Sequence, residues 1–293
     1  MSHEPSTLFR MNVRQLHESD RKVVEAFLAN HRDSSMFLRQ NIARAGFDYH
    51  GNFLEAEYHG AFDEGGLAGI VGHCWNGMLL VQAPRGLDLL APHAIEQSRR
   101  RVTGTSGPAE QVRLAIDVLG LTDAPKLKAE DEGLYVLDLN DLVVPHPLAL
   151  GDIECRPPRP DEYETLRTWR FDYDVEALGS APTDATRQRS SRFLDAQIQE
   201  QNVWVAVSAA RPVSLAAFNA ALPDIVQLGG IYTPPEHRSH GFARAAVAAS
   251  LLAARQRGVT RAVLFTANPF AVRSYEAVGF HRVGDYGLVI LAA

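Results

Sequence analysis

The chain has little of what disulfide-stapled, membrane-spanning or nucleic-acid-binding proteins need. Only Cys74 and Cys155 are cysteines, without CxxC spacing, so the sequence predicts neither a disulfide framework nor a cysteine-ligated zinc site. No uncharged apolar run of about 18 residues occurs, and Met1–Val13 lacks an apolar signal segment, which together predict a cytoplasmic protein without a membrane partner. Lys and Arg number 29 against 35 Asp and Glu, without a dense basic run, which argues against nucleic acid as a partner.

Several catalytic motifs are missing as well. The sequence contains no Gly-x-Ser-x-Gly elbow, no phosphate-loop Gly-Lys-Ser/Thr and no His-Glu-x-x-His, which argues against hydrolase, kinase and zinc-protease functions. His237 and His240 form a His-x-x-His pair, but no cysteine or carboxylate stands at ligand spacing beside them. The sequence therefore predicts no metal site.

The chain does contain enough apolar sequence for two hydrophobic cores. Apolar residues make up 46% and charged residues 22% of its 293 residues, as in ordinary globular proteins, and this length predicts two domains. Prolines concentrate between Val143 and Pro160, which places a boundary near Gly151. We expect domains at 1–148 and 149–293, in a chain that is a monomer or a homodimer.

Periodicity and turn residues predict a similar alternation of strands and helices in both halves. In the second half, the predicted order is strand, helix, three strands, helix, strand, helix and a last strand; the first eight lie at 153–156, 161–169, 203–207, 213–218, 225–233, 242–257, 262–266 and 268–279. In the first half, strands are predicted at 60–62, 67–73, 78–82 and 134–139, helices at 87–100 and 109–119, and a short extended piece at 101–103. The first half is therefore a candidate for a diverged copy of the second.

One segment, Ile231-Tyr-Thr-Pro-Pro-Glu-His-Arg-Ser-His-Gly-Phe-Ala, leads from a predicted strand to the start of a helix. Gly241 lets the backbone approach a phosphate closely, and the first-turn N–H groups and the helix dipole favour negative charge. Arg238 and Arg244 add two full positive charges. The segment is either an anion site or a plain strand-to-helix turn whose glycine relieves strain.

A second motif follows further along the chain. Asn268-Pro-Phe-Ala-Val-Arg-Ser-Tyr-Glu-Ala-Val-Gly-Phe opens with a helix-capping Asn-Pro pair after a buried strand. Together, the two motifs resemble the GNAT family, the Gcn5-related N-acetyltransferases, over about residues 151–293. The resemblance implies an α/β (α+β) fold with two tandem GNAT-like domains, each a mixed, mostly antiparallel twisted sheet flanked by helices, and acetyl-CoA as the cofactor.

The same resemblance implies roles for individual residues. Arg238, Gly241 and Ala243 match the pattern that binds the pyrophosphate of acetyl-CoA, while Asn268 and Tyr275 match the helix beside the pantetheine and thioester. The implied cofactor-binding residues are Ile231, Tyr232, Thr233, Arg238, Ser239, His240, Gly241, Phe242, Ala243, Arg244 and Asn268. Tyr275 is implied as the proton donor to the departing thiolate, and the oxyanion is expected against backbone N–H groups of the strand that ends at Thr233. The residues alone also allow Asn268 to be only a helix cap and Tyr275 to be a core residue.

The acceptor side is less defined. The strand Gln227-Leu-Gly-Gly-Ile-Tyr carries no glutamate where many relatives have a general base, so we assign no base on it. Acidic and aromatic residues cluster in the segment that usually forms the acceptor wall, and the candidate acceptor contacts are Trp169, Asp172, Tyr173, Asp174 and Glu176. Either one of these three carboxylates attracts the amine and relays its proton through water, or they belong to a solvated acidic loop.

The first half matches the rhythm of the second without its functional residues. Arg85-Gly-Leu-Asp-Leu-Leu lacks the Arg-x-x-Gly-x-Ala turn, and aligning Gly120 with Gly279 puts Ile116 opposite Tyr275. We therefore expect a degenerate domain that no longer binds CoA. The segment 104–108 is interpreted as an anion nest or an ordinary loop.

These observations predict an N-acetyltransferase that transfers an acetyl group from acetyl-CoA directly to a primary amine of a small molecule, with amino acids among the candidates. Peptides and proteins stay open as acceptors. The alternative is a non-catalytic acyl-CoA-binding regulatory module.

Overall fold

The computed structural model describes residues 11–292, whose contacts divide the chain into two units. Unit 1 contains the described residues up to Asp131 together with those from Tyr286 onward, and unit 2 contains Glu132–Asp285. The expectation about Met1–Val13 falls mostly outside the described residues. No helix among the described residues is long and apolar enough to cross a membrane. The domain boundary expected between 148 and 149 falls inside unit 2 and stays a prediction.

Unit 1 begins with a strand and two helices, continues with three strands, and then has a helix, a strand and a further helix. Its elements are β1 (Asn12–Gln15), α1 (Arg21–Asn30), α2 (Met36–Ala45), β2 (Ala56–Asp63), β3 (Gly66–Cys74), β4 (Met78–Gln82), α3 (Leu87–Ser98), β5 (Gly104–Pro108) and α4 (Ala109–Val118). The next strand, β6 (Lys126–Asp138), begins in unit 1 and ends in unit 2.

Unit 2 repeats this order after a short helix, α5 (His146–Ala149). Its elements are β7 (Glu154–Arg156), α6 (Tyr163–Glu176), α7 (Asp184–Gln199), β8 (Val203–Ser208), β9 (Arg211–Ala221), β10 (Ile225–Tyr232), α8 (Phe242–Gln256), β11 (Arg261–Thr266) and α9 (Pro269–Glu276). The last strand, β12 (His281–Leu291), begins in unit 2 and ends in unit 1. Each half therefore contributes ten elements in the same order, β1–β6 with α1–α4 and β7–β12 with α6–α9.

The final strands of the two halves are exchanged. In unit 1, β4 and β5 are parallel, and β5 pairs with the part of β12 from Tyr286 to Ile290. In unit 2, β10 and β11 are parallel, and β11 pairs antiparallel with the part of β6 from Gly133 to Asp138. The strand order is β1-β2-β3-β4-β5-β12 in unit 1 and β6-β11-β10-β9-β8-β7 in unit 2. The mixed α/β architecture expected for both halves is confirmed.

In unit 2, helices cover both faces of the sheet. The helix α8 packs small residues, among them Ala245, Ala248 and Ala254, against one face, as its many alanines predict. On the other face, Leu166 of α6 and Leu194 of α7 pack against alternate residues of β8 and β9. The predicted hairpin between β8 and β9 is confirmed, and Ala209 and Ala210 adopt the positive φ angles that a tight hairpin turn requires.

Three predictions from the sequence are wrong. The second half has an additional helix, α7, which was not predicted. Residues 104–108 form the buried strand β5 rather than a loop or an anion nest, and the strand does not lie at 101–103. The acidic segment up to Glu176 belongs to the helix α6 rather than to a solvated loop. The other predicted helices and strands of the second half are confirmed to within a few residues.

Candidate active site

The sheet of unit 2 opens between its two parallel strands. The strands β10 and β11 are paired from Ile225–Arg261 to Gln227–Val263, and among the described residues no pair follows, although β10 continues to Tyr232. The backbone of β10 beyond Gln227 is therefore not paired with β11. The helices α8 and α9 begin just after these strand ends.

A bulge on β10 lies at this opening. The register between β9 and β10 shifts between Gly229 and Tyr232, and Gly230 has a φ of +64°. A side chain at Gly230 would be strained, and its Cβ would lie 2.7 Å from Nη1 of Arg170. The bulge interrupts the ladder at Gly230 and Ile231, and the N–H of Gly230 donates to the phenol of Tyr173. The oxyanion donors expected on the strand that ends at Thr233 stay a prediction.

The start of α8 forms a backbone cradle. Gly241 is the residue before the first helical turn, with a φ of +80°, and Ser239 also has a positive φ of +65°. No atom lies within 4 Å of the position that a Cβ on Gly241 would occupy, so the space above this glycine is open. The N–H groups of Phe242, Ala243 and Arg244 are the first-turn donors that an α-helix leaves without internal partners. This arrangement fits the pyrophosphate of an acyl-CoA.

Arg238 is oriented by two contacts inside unit 2. Its Nε donates to the carbonyl oxygen of Thr233 at 2.9 Å, and its Nη2 lies 2.9 Å from both carboxylate oxygens of Glu176. The hydrogen bond to Glu176 raises the pKa of Arg238, as does the charge of that carboxylate. Glu176, predicted as an acceptor contact, therefore neutralises the arginine predicted as a phosphate contact.

The remaining predicted cofactor residues lie around this cradle. Tyr232 is buried on the sheet face that α6 covers, and Ile231 packs against the core on the other face of the sheet. The ring of His240 stacks on that of Phe242 at 5.7 Å between centroids. Thr233 bonds through its hydroxyl to Ser214 at 2.8 Å. Their contacts with a cofactor stay predictions.

Asn268 caps α9, as the sequence allowed. Its Oδ1 accepts hydrogen bonds from the backbone N–H groups of Phe270 at 2.9 Å and of Ala271 at 3.4 Å. The residue is exposed at the carboxyl end of β11, where the strands open. Asn268 therefore fixes the start of the helix that carries Tyr275, whatever else it contacts.

Tyr275 on α9 and Tyr173 on α6 are near enough to influence each other electrostatically. Burial raises the pKa of Tyr275, and the neighbouring Tyr173 raises it further. Burial also raises the pKa of Tyr173, while the charge of Arg170 and a hydrogen bond from the backbone of Gly230 oppose this shift. Tyr275 therefore keeps its proton well above neutral pH, and Tyr173 links α6 to the bulge on β10.

The acidic residues of α6 have three different environments. Asp174 is 4% exposed and pairs with Arg170 at 3.0 Å, while the Ser190 hydroxyl donates to its other oxygen. Asp172 is half-buried and acts electrostatically on Tyr232. Glu176 is exposed and pairs with Arg238. Trp169 lies in the core beneath α6, so its part in acceptor binding stays a prediction.

Sequence reasoning missed two charged residues at this site. Arg170 is 7% exposed and lies beside the bulge. Glu132, on β6, acts electrostatically on the phenol of Tyr173. No motif marks either residue, because Arg170 lies on a helix next to several other charges and Glu132 lies in the strand that the first half of the chain supplies to unit 2.

Unit 1 preserves part of the cradle geometry. Gly86 precedes α3 with a φ of +73°, close to the conformation of Gly241. However, the Cε atom of Met11 lies 2.5 Å from the position of a Cβ on Gly86, and Asp88 adds a negative charge to the first turn. Arg85 pairs with Asp63 at 2.6 Å. The side chain of Met11 therefore occupies the space above Gly86, and the first turn carries a negative charge instead of a positive one.

Comparisons with known proteins agree with this geometry. Residues 163–280 match the model of the acetyltransferase (GNAT) family. No curated protein sequence matches the chain significantly. Among solved structures, the chain resembles a GCN5-related N-acetyltransferase from Sphaerobacter thermophilus, with a TM-score of 0.59 and 16% identity over 95% of this chain and 94% of that one.

Two further structures resemble the whole chain. A tandem GNAT protein from the clavulanic acid biosynthesis pathway has a TM-score of 0.53 and 14% identity, over 97% of this chain and 98% of that one. A GCN5-related glucosamine N-acetyltransferase region of a fungal multi-domain β-N-acetylglucosaminidase has a TM-score of 0.56 and 15% identity, over 96% of this chain and 38% of that one. At these identities the likeness shows the fold, and the fold is that of two tandem GNAT-like domains.

Residues 163–280, which lie within unit 2, are therefore similar to the acetyltransferase (GNAT) family. The family transfers acetyl groups and uses acetyl-CoA.

Proposed function

We propose that unit 2 transfers the acetyl group of acetyl-CoA to a primary amine of a small molecule, directly and with both substrates bound together. The observation that carries this proposal is the joint placement of three features at one strand opening. These are the cradle around Gly241, the bulge at Gly230 and the phenol of Tyr275. They supply an anion site, oxyanion donors and an acid, which are three of the groups that acyl transfer needs.

The residues of the chain divide the chemistry as follows. Acetyl-CoA supplies an activated thioester when it is bound. The first-turn N–H groups of α8 and the guanidinium of Arg238 hold its pyrophosphate, and the backbone N–H of Ile231, next to the bulge, stabilises the oxyanion. Tyr275 holds a proton at Oη for the departing sulfur. The proton of the attacking amine leaves through water toward Asp172, which acts electrostatically on Tyr232, or toward Glu132, which acts on Tyr173.

The raised pKa of Tyr275 limits how readily it donates its proton. An ordinary tyrosine already lies about 1.5 pKa units above an ordinary thiol, which costs about 2 kcal/mol for the transfer. Burial increases this difference. However, a thiolate formed in the same desolvated opening is destabilised for the same reason, so the two pKa values move together.

The test is the release of CoA from acetyl-CoA in the presence of a panel of small amines. Turnover with at least one amine is expected, and Tyr275→Phe should lower kcat about 100-fold while CoA still binds. Tyr163→Phe, at the first turn of α6, is the matched control and should leave kcat unchanged. Asp172→Asn and Glu132→Gln in the same assay identify the base through the acid limb of the pH profile. Binding of CoA without turnover across the panel would instead indicate a regulatory acyl-CoA-binding module.

A further inference from the structure

A buried arginine, Arg170, lies on α6 beside the bulge on β10. The side chain of Arg170 is 8% exposed, and its Nη2 lies 3.0 Å from Oδ1 of Asp174. Its Nε and Nη1 are buried without a hydrogen-bond partner. A buried guanidinium with two unpartnered nitrogens is costly unless a further acceptor reaches it. The pair with Asp174 therefore accounts for only part of the hydrogen-bonding capacity of this arginine.

The unpartnered Nη1 is directed at the backbone opening. It lies 2.7 Å from the position that a Cβ on Gly230 would occupy. The amide nitrogen of Asn219 lies 1.9 Å from the corresponding position on Gly229. Two consecutive glycines thus leave room for two nitrogen donors, one charged and one neutral, beside the bulge. Side chains at either glycine would displace them.

The guanidinium is fixed in place. Its carbon lies 4.6 Å from the ring centroid of Phe193 on α7 and 5.1 Å from that of Tyr173 on α6. The Ser190 hydroxyl donates to Asp174, which holds the carboxylate on the Nη2 side. The two rings and the carboxylate of Asp174 therefore hold the guanidinium so that Nη1 lies beside Gly230. A planar guanidinium held in this way suits a carboxylate ligand.

We infer that Arg170 binds the carboxylate of the acceptor, and that the acceptor is an α-amino acid. This inference rests on the proposed acetyl transfer at the same bulge. The amine must attack beside the backbone of Gly230, and Nη1 of Arg170 lies at that residue, so the carboxylate and the amine of the acceptor must be close together. In an α-amino acid a single carbon separates them. The acetyl group moves to the amine, and the carboxylate stays bound to Arg170 unchanged.

The experiment compares matched acceptors on the full chain. Free α-amino acids and their C-terminal amides are assayed in pairs for CoA release. The free acid is expected to exceed its amide at least 100-fold in kcat/KM. The double variant Arg170→Gln with Asp174→Asn removes both buried charges, so neither is left unpaired. It should raise the KM of the acid about 100-fold, change kcat far less, and leave the amide and CoA binding unaffected.

Arg167→Gln, one turn earlier on α6 and paired with Asp195 of α7 rather than with the bulge, is the matched control and should change none of these values. Equal rates on acid and amide in the wild type would overturn the inference while leaving the proposed function standing. So would a double variant that keeps the preference for the acid. If neither acids, amides nor simple amines are acetylated, the proposed function itself fails.

Discussion

In unit 1, the parallel strands β4 and β5 pair up to Leu80–Ser106, and a Cβ on Gly107 would lie only 2.3 Å from the carbonyl oxygen of Val81. In unit 2, the equivalent strands β10 and β11 have a ladder of the same length that ends at Gln227–Val263, but β10 then continues to Tyr232, whereas β4 ends at Gln82. The register between β3 and β4 is continuous, whereas that between β9 and β10 is interrupted by a bulge. The same order of elements thus gives a closed sheet in one unit and an open one in the other.

The comparison separates the features that both units share from the features that accompany the proposed site of unit 2. Strand order, the left-handed glycine before the central helix and the exchanged last strand occur in both units. The opening, the bulge and the tyrosine on the following helix occur in unit 2, and Ile116 on α4 stands where Tyr275 stands on α9. Unit 1 has a different concavity of about 410 Å³, lined by residues such as Ile95 at the far end of α3. This concavity therefore does not correspond in position to the proposed cofactor site of unit 2, which lies at the start of the equivalent helix α8.

The largest expected effect comes from changing the charge at the start of α8. Asp88 is the second residue after Gly86, and Ala243 is the second residue after Gly241. Ala243→Asp gives unit 2 the charge of unit 1. A carboxylate about 4 Å from a phosphate charge is worth about 4 kcal/mol of repulsion at an effective dielectric constant of about 20, so the affinity for CoA should fall at least about 100-fold. The fold should persist, because an acidic first-turn residue suits a helix.

Calorimetry with CoA measures both the affinity and the number of sites. One site per chain is expected in the wild type and none in Ala243→Asp at the same concentrations. The control is Asp88→Ala, which should leave the unit 2 site unchanged. A second site that survives Ala243→Asp would show that unit 1 binds CoA, contrary to our expectation. The full chain is needed, because a fragment ending near residue 145 would lack the strand from Tyr286 that pairs with β5.

The two units should also differ in their response to acid. His59 in β2 and His73 in β3 are fully buried, and burial lowers the pKa of each to about 4. Because the unfolded value is about 6.5, unit 1 has this stability in full above pH 6.5 and loses it as the pH falls toward 4. Between pH 7 and pH 5 the loss is about 2 kcal/mol for each histidine.

Hydrogen exchange at the two pH values, corrected for intrinsic rates, measures this loss separately in each unit. Protection of β2 and β3 should fall more than that of β8 and β9. His59→Leu should remove about half of the difference, and His237→Leu in unit 2 should have no effect on it. Equal loss of protection in both units would show that these buried histidines do not govern the acid response.

The comparison also shows what the sequence could predict. The glycine turn at Gly241 before α8 and the cap at Asn268 were predictable, because each depends on residues close by in the sequence. The helix α7 was not, since its buried residues are Thr186, Ser190, Leu194 and Gln197, and three polar residues give no hydrophobic periodicity. The strand β5 was missed because β-strand propensity disfavours its glycines, of which Gly107 lets β4 approach and Gly104 lets β12 approach.

Arg170 shows the same limit on the functional side. A charged residue in the middle of a helix is normally expected to face solvent. Its burial depends on Asp174 one turn later, on Ser190 of another helix and on the space left by Gly229 and Gly230. Sequence distance separates these partners, so only the folded chain brings them together.

The smallest expected effect concerns the ion pair that neutralises Arg238. Glu176 and Arg238 are about half exposed, at 53% and 43% of their side-chain surfaces, so their pairing is worth only about 0.5 kcal/mol. Removing it by Glu176→Gln frees the guanidinium for the pyrophosphate. The affinity for CoA should then rise about two- to threefold, and the gain should shrink in high salt. Glu164→Gln, which removes another exposed carboxylate of α6 from its partner Arg167, should change nothing.

If Glu176 is instead an acceptor contact, as the sequence suggested, Glu176→Gln will raise the KM of the amine while the affinity for CoA stays constant. Titration of CoA and of the amine on the same two variants therefore decides whether this carboxylate belongs to the cofactor side or to the acceptor side of unit 2.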